Sequence, residues 1–257
     1  MTLTLTDYYD RLAPYYQYIF QDWNTSVARQ ANALASVIHE YFSASTHHIL
    51  DAACGIGTQA LGLARLGFKI TASDISAVAL AHAQTEAVQS ELAITFSIAD
   101  MRSLRQSHAQ TFDLVLACDN AIPHLLCDEE ILQAFEQFYQ CTSPDGGCLL
   151  SVRDYGAMEC SGKKLVPRHA HQTPEGNLLV FDLWEFEGEF YNFTTYLVED
   201  VGGVTANTHV VRGGRYYCVT LAKLEALLRQ AGFAHVITLR ERYYQPLLLG
   251  MKHVRST

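Results

Sequence analysis

The sequence predicts an α/β fold, with an open, doubly wound and mostly parallel sheet of seven strands and an antiparallel β insertion. Three observations predict it. Short apolar strands alternate with helices between residues 45 and 155, a glycine turn joins the first of these strands to its helix, and an apolar/polar alternation follows later in the chain. With 257 residues, 49% of them hydrophobic, the chain can form one large domain.

The N-terminal part and the sheet core account for residues 1–155. Residues 1–44 are expected to form a helical lid, in which an aromatic-rich segment precedes a helix near 25–42. The five core strands are predicted in "HHILDAA", "KITASD", "AITFSIAD", "FDLVLACD" and "GGCLLSVRD". The helices between them are predicted in "TQALGLARLG", "SAVALAHAQTEAVQS" and "DEEILQAFEQFYQCT". Ser76 and Asp128 are suited to be the N-caps of the second and third helices.

Beyond the core, the chain is expected to form an insertion and then to complete the sheet. Residues 155–177 contain Gly, Pro and His and predict a loop, whereas "LLVFDLWEFEGEFYNFTTYLVED" predicts antiparallel strands that turn at Gly188. The whole insertion, 156–217, is expected to cover the active site. Residues 218–257 then supply a helix capped by Thr220 and two closing strands, "HVITLRE" and "QPLLLGMKH".

Charge and composition restrict the class of partner. The net charge of −9 opposes a phosphate backbone, and no basic run is present, so we expect no nucleic-acid partner. No apolar run reaches the length of a membrane span, and the N-terminus lacks the pattern of a signal peptide; we expect no membrane association and a cytoplasmic location. The seven cysteines form no C-x-x-C pair and the histidines have no ligand spacing, so we expect no metal site.

A glycine turn after the first strand indicates a nucleotide-bearing cofactor. Gly55 and Gly57 lie between a strand end and a helix start, where the backbone can approach a ligand closely and helix N–H groups point toward it. The pattern Gly55-x-Gly57-x-x-Ala60 also satisfies the loose dinucleotide fingerprint. The turn alone is therefore compatible with a dinucleotide or with S-adenosylmethionine.

Three aspartates at successive strand ends favour the second cofactor. Asp51 comes four residues before Gly55, where it can accept from an ammonium group and where a pyrophosphate would be disfavoured. Asp74 closes the second strand and can accept from both ribose hydroxyls. Asp100 closes the third strand, within reach of an adenine amino group, and Met101 beside it can pack on the ring. The three carboxylates are expected around one crevice at one edge of the sheet.

The segments "LDAACGIG", "TASDIS", "IADM" and "FDLVLACDN", in this order, resemble the motifs of class I S-adenosylmethionine-dependent methyltransferases over about residues 45–155. The resemblance implies a Rossmann-like fold, S-adenosylmethionine as cofactor, S-adenosylhomocysteine as product and a small-molecule methyl acceptor as partner. The residues that it places around the cofactor in the core are Asp51, Ala53, Gly55, Gly57, Asp74, Ile75, Asp100, Met101 and Cys118. From the N-terminal segment it adds Tyr16 and Trp23 as a cover and Arg29 as a partner of the cofactor carboxylate.

Near the ends of strands four and five, the chain is similar to glycine N-methyltransferase and its relatives. In that group an Asn and a His follow strand four, an Arg just after strand five holds the substrate carboxylate, and a Tyr-Tyr segment precedes the last large helix. The matching candidates for acceptor binding and catalysis are Asn120, His124, Arg153 and Tyr217, with Tyr216 as its neighbour. An arginine offers a planar fork to a carboxylate, and the Asn120 carbonyl can accept from an amine.

One loop departs from that group. The family reads G-N-S-F-A-H-L after strand four, whereas this chain reads D-N-A-I-P-H-L from Asp119 to Leu125. The carboxylate of Asp119 could favour a cationic group on the acceptor. Alternatively, Arg153 could be a structural residue that pairs with Asp119 or Asp154.

The sequence therefore favours methyl transfer to the amine of an amino acid or a related carboxylate, similar to glycine or sarcosine. Methylation of an oxygen or another atom of an aromatic or natural-product molecule is an alternative. From other classes, a nicotinamide-dependent oxidoreductase and a non-catalytic cofactor-binding module also stay open. The oligomeric state is left open by the sequence.

Overall fold

The computed structural model describes residues 4–253, and its central sheet has seven strands. The strands are β1 His48–Asp51, β2 Lys69–Asp74, β3 Ile94–Ile98, β4 Phe112–Ala117, β5 Thr142–Ser151, β10 His235–Leu239 and β11 Leu247–Met251. Their order in the sheet is β10-β11-β5-β4-β1-β2-β3. Within this sheet β11 alone runs antiparallel to its neighbours. The predicted α/β fold with a mostly parallel seven-stranded sheet is confirmed.

The helices cover both faces of this sheet. They are α1 Leu5–Leu12, α2 Trp23–Tyr41, α3 Thr58–Arg65, α4 Ala77–Gln89, α5 Leu104–Ser107, α6 Asp128–Cys141 and α7 Leu221–Gln230. Ser76 and Thr220 act as N-caps, as predicted. The predicted N-cap Asp128 is instead the first residue of α6, where a carboxylate complements the positive end of the helix dipole. Between residues 4 and 253, no helix is long and apolar enough to cross a membrane.

Helix α3 packs tightly against α2 at Gly62. A Cβ atom at this position would lie 2.7 Å from the Ala31 Cβ and 2.8 Å from the Val27 carbonyl oxygen. Only a glycine allows this approach. The contact fixes the position of α3 and, with it, of the glycine turn that precedes the helix.

A separate antiparallel sheet of four strands follows β5. Its strands, in sheet order, are β6 Lys163–Thr173, β7 Gly176–Glu187, β8 Phe190–Asp200 and β9 Asn207–Tyr217. Gly188 lies in the turn between β7 and β8 with φ +60°, as expected. The prediction that 155–177 forms a loop is wrong, because Lys163–Thr173 form β6. This edge strand pairs only with β7 and has no fully buried residue, so it carries no apolar periodicity.

The inner face of the second sheet packs on the N-terminal segment. Leu178, Tyr191 and Phe193 share a hydrophobic core with Tyr8 and Leu12 of α1. The hydroxyl groups of Tyr8 and Thr195 lie 2.9 Å apart, and the His171 ring donates to the Tyr18 carbonyl oxygen at 2.8 Å. The insertion and the N-terminal segment therefore cover the same edge of the central sheet.

Candidate active site

A cavity of about 400 Å³ lies at the carboxyl ends of β1, β2 and β4, beneath the N-terminal segment. We call it the main cavity. The predicted cofactor residues among its lining are Tyr16, Ala53, Gly55, Asp74, Ile75, Asp100, Met101 and Cys118. Of the predicted acceptor residues, His124 lines it as well. The sequence motifs thus converge on one space, at the sheet edge where α/β folds bind ligands.

Asp51 lies behind the lining, at the end of β1, and is almost fully buried. Its Oδ1 accepts from the Ala53 N–H at 3.4 Å, while its Oδ2 has no hydrogen-bond partner within residues 4–253. Burial raises the pKa of Asp51 to about 7. A buried carboxyl oxygen with no donor favours the approach of a cationic or hydrogen-bonding ligand group.

Asp74 is fixed by two backbone groups of the neighbouring turns. The Gly55 N–H donates to Oδ2 at 2.8 Å, and the Ser76 N–H donates to Oδ1 at 2.9 Å. Gly55 has φ +52°, a conformation that a residue with a side chain rarely adopts. Burial raises the pKa of Asp74. Each oxygen keeps a lone pair for a ligand hydroxyl, because a carboxylate offers about four acceptor sites.

Asp100 forms an ion pair that the sequence did not indicate. Arg102 Nη2 lies 2.6 Å from Asp100 Oδ2, and Arg102 Nη1 lies 2.5 Å from Glu130 Oε1. Burial acts to raise the pKa of Asp100, but the hydrogen bonds from Arg102 outweigh it and lower that pKa. Asp100, Arg102 and Glu130 together line one end of the main cavity.

Two predicted cofactor residues on α2 lie outside the main cavity. The Trp23 indole N–H donates to Thr58 Oγ1 at 3.0 Å, so this ring supports the first turn of α3. Arg29 is exposed, because α2 buries the face that carries Val27 and Ala31. Gly57 also lies outside the lining and serves as the N-cap of α3, with φ +91°.

His124 holds a tyrosine of the lid over the main cavity. Its Nδ1 lies 3.0 Å from the Arg215 carbonyl oxygen, so Nδ1 carries the proton and Nε2 accepts from the Tyr9 hydroxyl at 2.5 Å. Burial lowers the pKa of His124 to about 3. The imidazole is therefore neutral at physiological pH. His124 and the Tyr9 side chain bound to it both line the main cavity.

A second, smaller pocket of about 100 Å³ adjoins the main cavity, and we call it the adjoining pocket. Tyr9, Tyr16 and Asp119 line both spaces. The other charged residues of the adjoining pocket are Arg153, Arg168 and Asp182. A molecule in this pocket would therefore lie directly beside a ligand of the main cavity.

Arg153 enters the adjoining pocket without an acidic partner. Its Nη1 donates to the Tyr191 hydroxyl at 2.9 Å, and its guanidinium carbon lies 5.1 Å from the Trp184 ring centroid and 5.4 Å from that of Tyr216. Within residues 4–253 it has no ion pair. Asp154 is paired with Arg240 instead, so the structural pairings considered from the sequence are not formed.

Asn120 and Tyr217 support the adjoining pocket without lining it. Asn120 is fully buried; its Oδ1 accepts from the Arg153 N–H at 3.0 Å and its amide donates to the Tyr155 hydroxyl at 2.8 Å. The Asn120 carbonyl was predicted to accept from an amine of the acceptor. In the structure this oxygen accepts from the Arg153 N–H instead, and so positions Arg153. Tyr217 donates to Asp128 at 3.1 Å, since strand alternation directs Tyr216, and not Tyr217, toward the pocket.

Several pocket residues had not been selected from the sequence. They are Tyr9, Gln59, Arg102, Glu130, Arg168, Asp182 and Thr195. Arg168 lies on β6, where a loop had been expected, and Asp182 pairs with it from the neighbouring strand at 2.6 Å. An arginine and an aspartate of opposite charge on two paired strands would have indicated this ion pair, but the signal can be recognised only when the strand pairing is known.

Comparisons with known proteins agree with this geometry. Residues 49–146 match the sequence model of a family described as a methyltransferase domain. The chain is 30% identical over 155 residues to a provisionally named methyltransferase of Geobacillus sp. (strain WCH70), covering 59% of this chain and 57% of that protein. It is 24% identical over 143 residues to the glycine/sarcosine N-methyltransferase of Aphanothece halophytica, covering 56% and 53%. The chain spans about half the length of the curated relatives it matches.

A solved structure extends the likeness to the whole fold. The S-adenosylmethionine-bound CalS10, an amino pentose methyltransferase from Micromonospora echinaspora, superposes with a TM-score of 0.74 over 93% of this chain and 94% of that chain, at 16% identity. At this identity the likeness concerns the fold. Together the matches confirm the resemblance to class I S-adenosylmethionine-dependent methyltransferases and the cofactor of that family.

Proposed function

We propose that this chain, with its class I methyltransferase fold, transfers a methyl group from S-adenosylmethionine to the amine of a small molecule that also carries a carboxylate. The observation that carries the proposal is the guanidinium of Arg153, which has no ion-pair partner within residues 4–253 and lies in a pocket next to the main cavity. Such a cation is costly to hold away from water unless an anion reaches it.

The residues that line the main cavity, and Asp51 behind the lining, fit the cofactor. The unpartnered Oδ2 of Asp51 suits the ammonium of a methionine moiety, and the fixed carboxylate of Asp74 suits the two hydroxyls of a ribose. Asp100 and Met101 lie at the end where an adenine would fit. When bound, the cofactor supplies an electrophilic methyl group on a sulfonium.

The chain's own residues then position the acceptor and exclude water. The guanidinium of Arg153 is held between the rings of Trp184 and Tyr216, so its fork is preoriented for a carboxylate. Tyr9 and Tyr16 of the lid line both spaces. Alignment of the two reactants supplies much of the rate acceleration of such an in-line displacement. The similarity to a glycine/sarcosine N-methyltransferase supports this class of acceptor.

The aromatic wall of the adjoining pocket favours a second candidate, methylation of an aromatic or natural-product molecule. Phe193 and Tyr216 line the pocket with their rings stacked, Tyr191 contacts Phe193 from behind, and Trp184 contacts Tyr191. The likeness to an amino pentose methyltransferase also agrees with an acceptor of this kind. The two candidates differ in whether Arg153 matters.

The test is production of S-adenosylhomocysteine by the purified protein with glycine, sarcosine, dimethylglycine, other amino acids and amines without a carboxylate. In Arg153→Gln we expect kcat/KM for carboxylate-bearing amines to fall by about 100-fold or more, because a desolvated charge pair is lost. Arg229→Gln, on the exposed surface of α7, is the matched control and should retain the wild-type value. Equal activity in Arg153→Gln, or turnover only of acceptors without a carboxylate, would remove this account of the acceptor.

A further inference from the structure

Asp119 occupies the boundary between the main cavity and the adjoining pocket. It follows β4 in a left-handed conformation, φ +60°, which aspartate and asparagine adopt more readily than most residues. Its N–H donates to Ser151 Oγ at 2.8 Å, and the next N–H, of Asn120, donates to the Ser151 carbonyl oxygen at 2.9 Å. The end of β5 thus fixes the backbone that presents this carboxylate.

The carboxylate of Asp119 has unused acceptor capacity. Its Oδ2 accepts from Gln59 Nε2 at 3.3 Å, whereas its Oδ1 has no hydrogen-bond partner in the described part of the chain, and no cation there lies within ion-pair distance. The titratable and charged groups around it come from several elements and are Tyr16, Asp51, Cys118, Arg153, Arg168 and Tyr243. Burial raises the pKa of Asp119.

The second acidic residue of the adjoining pocket is already engaged. Asp182 Oδ2 accepts from Arg168 Nη2 at 2.6 Å and Nε at 2.9 Å, and Asp182 Oδ1 accepts from Thr195 Oγ1 at 2.8 Å. The adjoining pocket therefore contains one unpaired guanidinium, at Arg153, and one carboxylate with a free oxygen, at Asp119. A ligand that bears both a carboxylate and an ammonium would complement the two.

We infer that the acceptor is bound as a zwitterionic amino acid, with its carboxylate on Arg153 and its ammonium on Asp119, and that Asp119 accepts the proton that this ammonium must lose before it is methylated. The inference rests on the proposed function. It adds a catalytic residue that the family's loop, with glycine at this position, does not contain.

The proton and electron balance is complete with the two reactants alone. The acceptor R–NH₃⁺ gives one proton to the Asp119 carboxylate and becomes R–NH₂ with a free lone pair. The nitrogen forms a bond to the methyl carbon as the carbon–sulfur bond breaks, and the electron pair of that bond stays on sulfur. The products are R–NH₂⁺–CH₃ and the neutral thioether S-adenosylhomocysteine, and Asp119 then returns its proton to solvent.

The test measures binding in protein saturated with S-adenosylhomocysteine, so that no turnover is needed. Calorimetric titrations compare glycine, sarcosine and the common α-amino acids with acetate, which lacks the ammonium, and with methylamine, which lacks the carboxylate. The variant is Asp119→Asn, because asparagine also tolerates positive φ, with Asp119→Gly as a second variant compatible with this backbone. Asp145→Asn, at an exposed position of β5, makes the same change of net charge elsewhere.

We expect at least one amino acid to bind wild type about 100-fold more tightly than either fragment does. Asp119→Asn and Asp119→Gly should weaken that binding by about 10- to 100-fold, as expected for a lost charge-assisted hydrogen bond. The affinity of each variant for S-adenosylhomocysteine is measured first, so that every comparison is made at full saturation, and Asp145→Asn should be unchanged throughout. In Asp119→Asn, amino-acid binding should also strengthen by about tenfold for each unit by which the pH rises toward the pKa of the amine, because the variant selects the neutral amine. A purely structural role would not produce this slope.

Three results would overturn the inference: no amino acid binds wild type, acetate binds as tightly as the amino acids, or Asp119→Asn binds within threefold of wild type. If S-adenosylhomocysteine binds but only amines without a carboxylate are methylated, methyl transfer survives, whereas the carboxylate-bearing acceptor and its binding as a zwitterion do not. If S-adenosylhomocysteine itself fails to bind, the proposed function also fails.

Discussion

Replacement of Asp74 by asparagine separates the contribution of this carboxylate to the cofactor from its contribution to the fold. In the structure, its oxygens accept from the N–H groups of Gly55 at 2.8 Å and of Ser76 at 2.9 Å. An asparagine keeps one carbonyl oxygen, so its amide must face one of these two N–H groups. We expect the free energy of unfolding without ligand to fall by about 1–3 kcal/mol.

The effect on the cofactor should be larger. Two ribose hydroxyls that donate to a carboxylate contribute about 1.5–3 kcal/mol each. In the variant one bond is lost and the other becomes a neutral bond of about 1 kcal/mol, so binding should weaken by about 2–5 kcal/mol. The dissociation constant of S-adenosylhomocysteine should therefore rise by about 30-fold or more.

Two measurements on the same samples test this reasoning. Calorimetric titration gives the affinity for S-adenosylhomocysteine, and urea unfolding without ligand gives the stability. Asp145→Asn should match wild type in both. If Asp74→Asn bound S-adenosylhomocysteine within threefold of wild type while its stability fell, Asp74 would be a structural residue and the assignment of the ribose to it would be refuted.

Three further predictions concern protonation, the lid and helix packing. Because burial raises the pKa of Asp51 to about 7, the free energy of unfolding of the unliganded protein should fall as the pH rises from about 4 to 7. The affinity for S-adenosylhomocysteine should weaken as the pH falls below 7, because the protonated carboxyl loses its charge. Calorimetric titrations over this pH range should show that Asp51→Asn removes the pH dependence of the affinity. Tyr9→Phe removes the donor to Nε2 of His124 and should lower the free energy of unfolding by about 1–3 kcal/mol, measured in urea; an unchanged value would mean that the bond does not form in solution. Gly62→Ala places a methyl group 2.7 Å from the Ala31 Cβ and should destabilise by about 1–3 kcal/mol; a midpoint equal to wild type would show that α3 can shift.

The central sheet was readable from the sequence because five of its seven strands contain a run of buried residues, Ser76 and Thr220 cap two of the helices, and glycines mark the turns. Asp74 and Asp100 could be placed at one edge because parallel strands align their carboxyl ends. The four-stranded insertion was harder to predict. Its edge strand β6 has alternating partly exposed residues and a register shift at Pro167, so neither hydrophobic periodicity nor length distinguishes it from a loop.

Side chains on the lid and the insertion were the least predictable. Arg29 was chosen by similarity, yet the buried face of α2 turns it toward solvent. Arg168 and Asp182 meet only because β6 and β7 pair, and a pairing register is a non-local property. The unpaired state of Arg153 likewise depends on where Arg240 lies, since that residue occupies Asp154.

The sharing of Tyr9, Tyr16 and Asp119 between two spaces has a thermodynamic consequence. Whichever molecule enters first orders side chains that the second molecule also contacts, so each changes the affinity of the other by the same factor. The change in S-adenosylhomocysteine affinity caused by the acceptor and the change in acceptor affinity caused by S-adenosylhomocysteine are therefore two measures of one coupling free energy, carried by three shared side chains.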